Sequence, residues 1–281
     1  MIVGPAGIPV PAGDRELPFN AARTTIIPAM NFKEKKVLIT GGSRGIGEAT
    51  ARALAQAGAA VAISYRTHEQ KTQDVISSLP GKGHRMIQAD VSIPDDCRRL
   101  VEETVAGFGR LDVLVNNAGV YFEHPIDQIG FEDWQAAWRR ILAVNLIGAA
   151  NLCYHAAQHM IRQRAGRIIN VSSRGAFRGE PSSMAYGASK AGLNSLSQSL
   201  ARALAPYNVF VGVVAPGFVE TDMTKEMLKG AAGEAIKQQS PLGRVAKPEE
   251  VAYAIMMFAA EGAEFMTGGI IDVNGASYLR S

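Results

Sequence analysis

The chain has 281 residues, 47% of them apolar and 20% charged, with a formal net charge of +3, which is enough to bury the core of one large α/β domain. Lys and Arg are scattered, with no dense basic block interleaved with aromatics, so no nucleic-acid partner is expected. No apolar run reaches membrane-spanning length, and the widely separated Cys97 and Cys153 form no disulfide or metal spacing, so the expectation is a soluble chain in a reducing cytoplasm.

Residues 1–33 read as an irregular N-terminal arm. The stretch "MIVGPAGIPVPAGDRELPFNAARTTIIPAM" breaks every helix or strand pattern with Pro and Gly and ends on a second methionine, Met30. From 34 to 281 the pattern alternates between short β-branched runs and longer stretches of helical period. "KVLIT" is followed by the helix "GIGEATARALAQAG", "AVAIS" by a helix from Glu69 to Leu79, and "RMIQAD" by "PDDCRRLVEETVAGFG". "LDVLVNNAG" then precedes one long helical stretch over 131–163, in which His155 and His159 share a face but lack the intervening Glu of a zincin helix, so no metal site is expected. "GRIINVSS", the helix "AYGASKAGLNSLSQSLARALAP", "VFVGVVAPG", the helix "PEEVAYAIMMFAA" and "GGIIDVNG" complete the series.

Seven strands separated by helices predict a single doubly wound, Rossmann-type α/β domain, its seven-stranded parallel sheet covered by helices on both faces. The segment 221–240 carries no strand and is expected to form a flap over a cleft.

"VLITGGSRGIGEAT" places Gly41, Gly45 and Gly47 between the first strand and first helix, where glycine admits a pyrophosphate to the backbone and the helix N-terminus favours it. An acid at the end of the second strand would hydrogen-bond a free ribose 2′-hydroxyl, and that position holds none. "AISYRTH" offers Tyr65 and Arg66 instead, and the glycine turn adds Arg44, so two guanidinium groups would meet a 2′-phosphate. The expected cofactor is NADP(H); the other reading of the two arginines is a solvated surface.

Tyr186 and Lys190 lie four positions apart among small residues and project from one helix face. A free phenol titrates near 10, and a cation beside it favours the ionised form, so Lys190 is expected to tune Tyr186 toward proton transfer.

Taken in order, "TGGSRGIG", "NNAG" at 116–119, "VSS" ending at Ser173, Tyr186 with Lys190, and "APG" at 215–217 make residues 34–281 resemble the short-chain dehydrogenase/reductase family. That resemblance implies a catalytic set of Ser173, Tyr186, Lys190 and Asn145: the serine orients the carbonyl, the tyrosine donates the proton, the lysine holds the nicotinamide ribose, and the asparagine supports a water leading from the lysine. It also implies cofactor contacts from Gly41, Ser43, Arg44, Gly45, Ile46 and Gly47, from Tyr65 and Arg66, from Asp90 and Val91 at the adenine, and from Asn117, Ala118 and Gly119. Tyr186, Lys190, Pro216, Gly217, Val219 and Thr221 complete that set.

Within the family the motifs are most similar to 3-oxoacyl-(acyl-carrier-protein) reductases, which implies NADPH-dependent reduction of a 3-oxoacyl thioester or related ketone. Those enzymes dock an acidic carrier with basic residues near the cleft. Arg164 matches one of these, whereas Tyr207 stands where the second would be. Arg174 and Arg178 would bind a carboxylate or phosphate on the substrate, or else are solvated. A ketone or sugar dehydrogenase using NADP(H) is the alternative, and a non-catalytic nucleotide-binding protein a remote one. The resemblance further implies a homotetramer built on the helices around 131–163 and 186–205 and on the C-terminal strand.

Overall fold

The computed structural model describes residues 30–280, so the expected arm lies outside the described residues except for its last four positions. Of these, Phe32 is 1% exposed and its N–H donates to the Ala57 carbonyl, so packing begins before position 34.

The elements follow one another as β1 (Lys36–Thr40), α1 (Gly45–Gln56), β2 (Ala60–Tyr65), α2 (Glu69–Ser78), β3 (Arg85–Gln88), α3 (Pro94–Phe108), β4 (Val113–Asn116) and α4 (Phe131–Leu142). Next come α5 (Ala149–Gln163), β5 (Gly166–Val171), the short α6 (Gly175–Arg178), α7 (Met184–Leu204), β6 (Val209–Pro216), α8 (Gly230–Lys237), α9 (Pro248–Ala259) and β7 (Ile270–Val273). All seven strands join one parallel sheet in the order β3-β2-β1-β4-β5-β6-β7.

Both sheet faces are buried, which is why the strands read as unbroken apolar runs rather than as alternating ones. Val37 and Ile39 of β1, Val61 and Ile63 of β2, and Val113 and Val115 of β4 pack under α1, α2 and α9 with Leu54, Val75 and Ile255. Their neighbours Leu38, Ala62 and Leu114, with Ile168 of β5, face the other way, onto Leu100 of α3, Leu152 of α5 and Leu204 of α7. Strand order reverses at β1: the chain runs outward through β2 and β3, then returns to place β4 on the opposite side. In such sheets the crevice outside the carboxyl ends of the strands, at that reversal, is where ligands bind.

The long helix expected over 131–163 is interrupted, because Ala143–Gly148 forms a π-helical turn between α4 and α5. Its cause is local. Asn145 Oδ1 accepts the Val120 N–H at 2.8 Å while Nδ2 donates to the Val120 carbonyl at 3.0 Å, which draws this turn toward the segment after β4. At Gly148 the turn passes so close to the backbone of Val91 that a Cβ would stand 2.2 Å from that carbonyl oxygen. Single π turns of this kind are found mostly at functional sites.

The segment 221–240 carries α8 and no strand, and a parallel bridge between Val219 and Ala246 ties the chain together on either side of it. Among the described residues no helix is long and apolar enough to cross a membrane.

Candidate active site

A cleft of about 360 Å³ runs along the carboxyl edge of the sheet, from the β1–α1 turn past the ends of β2, β4 and β5 to β6. Gly41, Ser43, Arg44, Gly45, Ile46, Tyr65, Arg66, Asp90, Val91, Asn117, Ala118 and Gly119 line it, and so do Pro216, Gly217, Val219 and Thr221. Ser173, Tyr186 and Lys190 line the same space, with Met223 and Met227 of the segment after β6. Two expected residues do not reach the cleft, Gly47 and Asn145.

Gly47 lies beneath the glycine turn, where a Cβ would be 2.4 Å from the Gly41 carbonyl oxygen. Its contribution is close helix packing rather than ligand contact. The turn is also pinned from β4. Asn117 Nδ2 donates to the carbonyls of Thr40 and Gly41 at 2.9 and 3.0 Å, and Thr40 Oγ1 accepts the N–H groups of Asn117 and Ala118 at 3.1 and 3.0 Å. No side chain caps α1, so its first N–H groups and the positive end of its dipole suit a pyrophosphate.

At the far end of the cleft, Arg44 stands 3.7 Å from Asp222 and Arg66 3.8 Å from Asp90, with each arginine side chain about half exposed. Both contacts are loose. Asp90 is itself anchored, since its Oδ1 accepts the N–H and hydroxyl of Ser92 at 2.9 and 2.7 Å. A third cation, Lys71 of α2, shares Asp222 at 3.7 Å; nothing in its sequence context singles it out.

The reacting end is built on the first turns of α7. His124, with no exposed surface, holds the start of that helix: its Nε2 accepts the Ala185 N–H at 3.1 Å, which leaves Nδ1 to donate to the Phe122 carbonyl at 2.9 Å. The Ser183 hydroxyl donates to the same carbonyl at 2.9 Å. Asn145 adds a second tie. Its Nδ2 donates to Ser189 Oγ at 3.2 Å, and that hydroxyl donates to the Tyr186 carbonyl at 2.7 Å. The Asn145 amide is therefore engaged with Val120 and Ser189, and acts by holding the backbone of α7.

Lys190 is 4% exposed and its Nζ donates to the Val171 carbonyl at 2.8 Å. Burial pushes its ammonium down to about 8. The Tyr186 ring lies with its centroid 5.8 Å from that nitrogen and packs edge-on against Tyr121, with ring centroids 5.2 Å apart. Burial raises the Tyr186 phenol, the Glu180 charge adds to the rise, and the Ser173 hydroxyl opposes it.

In the free protein burial thus raises the Tyr186 phenol rather than lowering it. Desolvation is the largest cause, and a phenol raised above its ordinary value is protonated at neutral pH. Ser173 Oγ accepts the Gly175 N–H at 3.0 Å, which leaves its own proton to donate into the cleft. A phenol donor, a hydroxyl donor and a partly deprotonatable ammonium thus converge where a carbonyl oxygen would gain negative charge.

Two sequence expectations are corrected here. Arg174 lines the cleft but is only 4% exposed: its guanidinium donates to Ser277 Oγ and Gln239 Oε1, both at 2.6 Å, and lies over the Phe218 ring. It ties the loop after β5 to the C-terminal turn, which overturns the solvated reading. Arg164 caps α5 at the start of β5, with its guanidinium over the Tyr207 ring at 5.9 Å. Ser173 follows the other end of that strand, roughly 20 Å along the sheet, so within one chain Arg164 is not beside the cleft. Sequence reading missed His124 and Tyr121, which a loop remote in the chain holds near Tyr186, and Glu180, six positions before it.

A family model described as Enoyl-(Acyl carrier protein) reductase matches residues 41–276. The 3-oxoacyl-(acyl-carrier-protein) reductase FabG of Thermotoga maritima is 40% identical over 248 residues, covering 88% of this chain and 98% of the relative. Its namesake from Staphylococcus aureus strain N315 is 37% identical over 247 residues, covering 87% and 98%. Among solved structures, a dehydrogenase/reductase from Sinorhizobium meliloti 1021 superposes with a TM-score of 0.80 at 32% identity, covering 89% of this chain and 97% of that one. A short chain dehydrogenase from Burkholderia cenocepacia J2315 in complex with NADP gives a TM-score of 0.78 at 31% identity, covering 88% and 99%.

Proposed function

The chain belongs to the short-chain dehydrogenase/reductase family, and on that premise we propose that it is an NADPH-dependent reductase of 3-oxoacyl thioesters or closely related β-keto compounds. The observation that carries this reading is the convergence of Ser173, Tyr186 and Lys190 at one end of a cleft whose other end is the glycine turn. The relatives named as 3-oxoacyl reductases support the substrate class, and the structural neighbour bound to NADP supports the cofactor.

The residues present fit a dinucleotide. Gly41, Ser43, Gly45 and Ile46 would hold its pyrophosphate at the open N-terminus of α1, while Asp90 and Val91 would border the adenine. Arg44 and Arg66, each only loosely paired and with no acid at the end of β2, would meet a 2′-phosphate. Gly119, Pro216, Gly217, Val219 and Thr221 would border the nicotinamide half, with Lys190 on its ribose. When bound, NADPH supplies the hydride.

The chain's own groups supply the rest. Ser173 donates a hydrogen bond to the substrate oxygen and fixes the carbonyl plane. Tyr186, kept neutral by burial, transfers its proton to that oxygen as negative charge develops. Lys190, held on the Val171 carbonyl, provides the positive field that stabilises the phenolate left behind and carries a proton of its own to restore it.

The experiment is a steady-state screen with NADPH and NADH against acetoacetyl thioesters, β-keto esters, simple ketones and sugars. Preferential reduction of the β-keto compounds with NADPH supports the reading. Turnover confined to sugars or polyols would make the protein a sugar dehydrogenase, and cofactor binding with no turnover would make it a nucleotide-binding protein without chemistry. Carrier-protein docking and a homotetramer are part of the same proposal. Exposed Phe131 and Tyr154 on α4 and α5, and Phe265 and Leu279 near β7, are apolar surfaces suited to subunit contact.

A further inference from the structure

Glu180 is a charged side chain of the cleft that neither the dinucleotide nor the proton transfer uses. It stands in the loop between α6 and α7 and shares the cleft wall with Ser173, Tyr121 and Tyr186. Its position is fixed by Gly175, whose missing side chain leaves room for it: a Cβ there would meet Glu180 Oε1 at 2.5 Å.

The nearby cations do not cancel its charge. Arg174 is committed to Ser277 and Gln239, and the exposed Arg178 turns to Gln239 at 3.4 Å. Both attract Glu180 from a distance, but burial dominates and holds its carboxyl above the usual range. Its field is felt at the reacting end, where it raises the hydroxyls of both Tyr121 and Tyr186.

Resting on the β-keto reading, we infer that Glu180 determines substrate charge: the cleft accepts neutral 3-oxo esters and thioesters and rejects the free 3-oxo acids. Glu180 and Tyr186 line one cleft, so a carboxylate carried next to a carbonyl held on Tyr186 would enter the field of Glu180 and be repelled by it. This opposes the reading in which Arg174 and Arg178 bind an anionic substrate. Glu180 is a specificity residue, and it moves no proton in the reaction.

The test compares kcat/KM for ethyl acetoacetate and for acetoacetate, with NADPH, in the unsubstituted enzyme and in Glu180→Gln, which keeps the shape of the side chain. Both rates come from one preparation, so any loss of folded enzyme cancels in their ratio. The ester-to-acid preference should fall about tenfold or more in Glu180→Gln, equivalent to ~1.4 kcal/mol, and Glu180→Ala should show the same direction. A merely structural role would lower both rates together, and an unchanged ratio overturns the inference. If no β-keto compound is turned over, the β-keto reading fails by itself. The charge filter is then decided by the same ratio on the neutral and acid forms of whichever ketone the enzyme does reduce, such as ethyl pyruvate and pyruvate.

Discussion

The Lys190 ammonium is bound to the Val171 carbonyl at 2.8 Å and has no carboxylate beside it among the described residues. A lysine pushed down to about 8 by burial, against ~10.4 when unfolded, destabilises the native state by about 3 kcal/mol at neutral pH. The sign follows from the direction of the shift. The unfolded chain binds the proton more tightly, so the penalty is complete below pH 8, shrinks as pH rises, and vanishes above the unfolded value.

Lys190→Met removes that penalty and loses one hydrogen bond of about 1 kcal/mol. The variant should therefore melt a few degrees higher than the parent at pH 7 in the absence of cofactor, and the difference should narrow between pH 8 and 10. Its reductase activity should be lost. Thermal denaturation across pH 6–10 checks both signs, and a variant that melts lower at every pH would show that the ammonium stabilises the fold.

The proton-donor assignment predicts a separation of binding from turnover. Tyr186→Phe retains the ring packed against Tyr121 and removes only the hydroxyl, so kcat should fall by a factor of about 10²–10⁴ while NADPH affinity stays within about threefold. Fluorescence titration gives the affinity and stopped-flow oxidation of NADPH gives the rate. Retained turnover would transfer the proton to another donor, with Ser173 the nearest candidate.

What the sequence made legible here was local or periodic. Tyr186 and Lys190 share a face because helices repeat every 3.6 residues, and the glycine turn announces itself by sitting at the first strand-to-helix junction. The central, buried strands stood out as β-branched runs for the same reason. What escaped depends on contacts far apart in the chain. Arg174 looks like a loop cation, yet its burial is set by Gln239 and Ser277, 65 and 103 positions away. His124 lies 61 positions from the Ala185 N–H it accepts, and nothing in "YFEHPID" distinguishes it from a surface histidine. The π turn is equally silent, because the apolar period of "ILAVNLIGAA" continues through it.

The proposed preference for NADPH rests on the two half-exposed arginines. Replacing Arg44 and Arg66 together with alanine removes the groups that would meet a 2′-phosphate and frees Asp222 and Asp90 to repel it. The Michaelis constant for NADPH should rise by about 30-fold or more, and that for NADH by less than about threefold. Lys71, also on Asp222, should retain part of the NADPH preference in the double variant and lose it when substituted as well. Equal losses for the two nucleotides would assign both arginines to the solvated surface.

Asn145 offers the sharpest test of how the fold positions its chemistry, because its amide contacts the Val120 N–H, the Val120 carbonyl and the Ser189 hydroxyl while standing outside the cleft. Replacing the amide with a carboxylate preserves size but substitutes an acceptor for the donor facing the Val120 carbonyl and Ser189, so two lone pairs meet in a buried site. Asn145→Asp should consequently cost about 2–3 kcal/mol of stability, whereas Asn145→Ala, which leaves the Val120 groups unpaired, should cost about 1–3 kcal/mol. Because the same contacts lead through Ser189 to the Tyr186 carbonyl, both variants should lower kcat more than they raise the NADPH Michaelis constant. The residual activity of Asn145→Ala should retain the pH profile of the parent, since that change neither adds nor removes a titrating group at the reacting end. A variant that loses stability but keeps its full kcat would confine Asn145 to the π turn and uncouple it from α7.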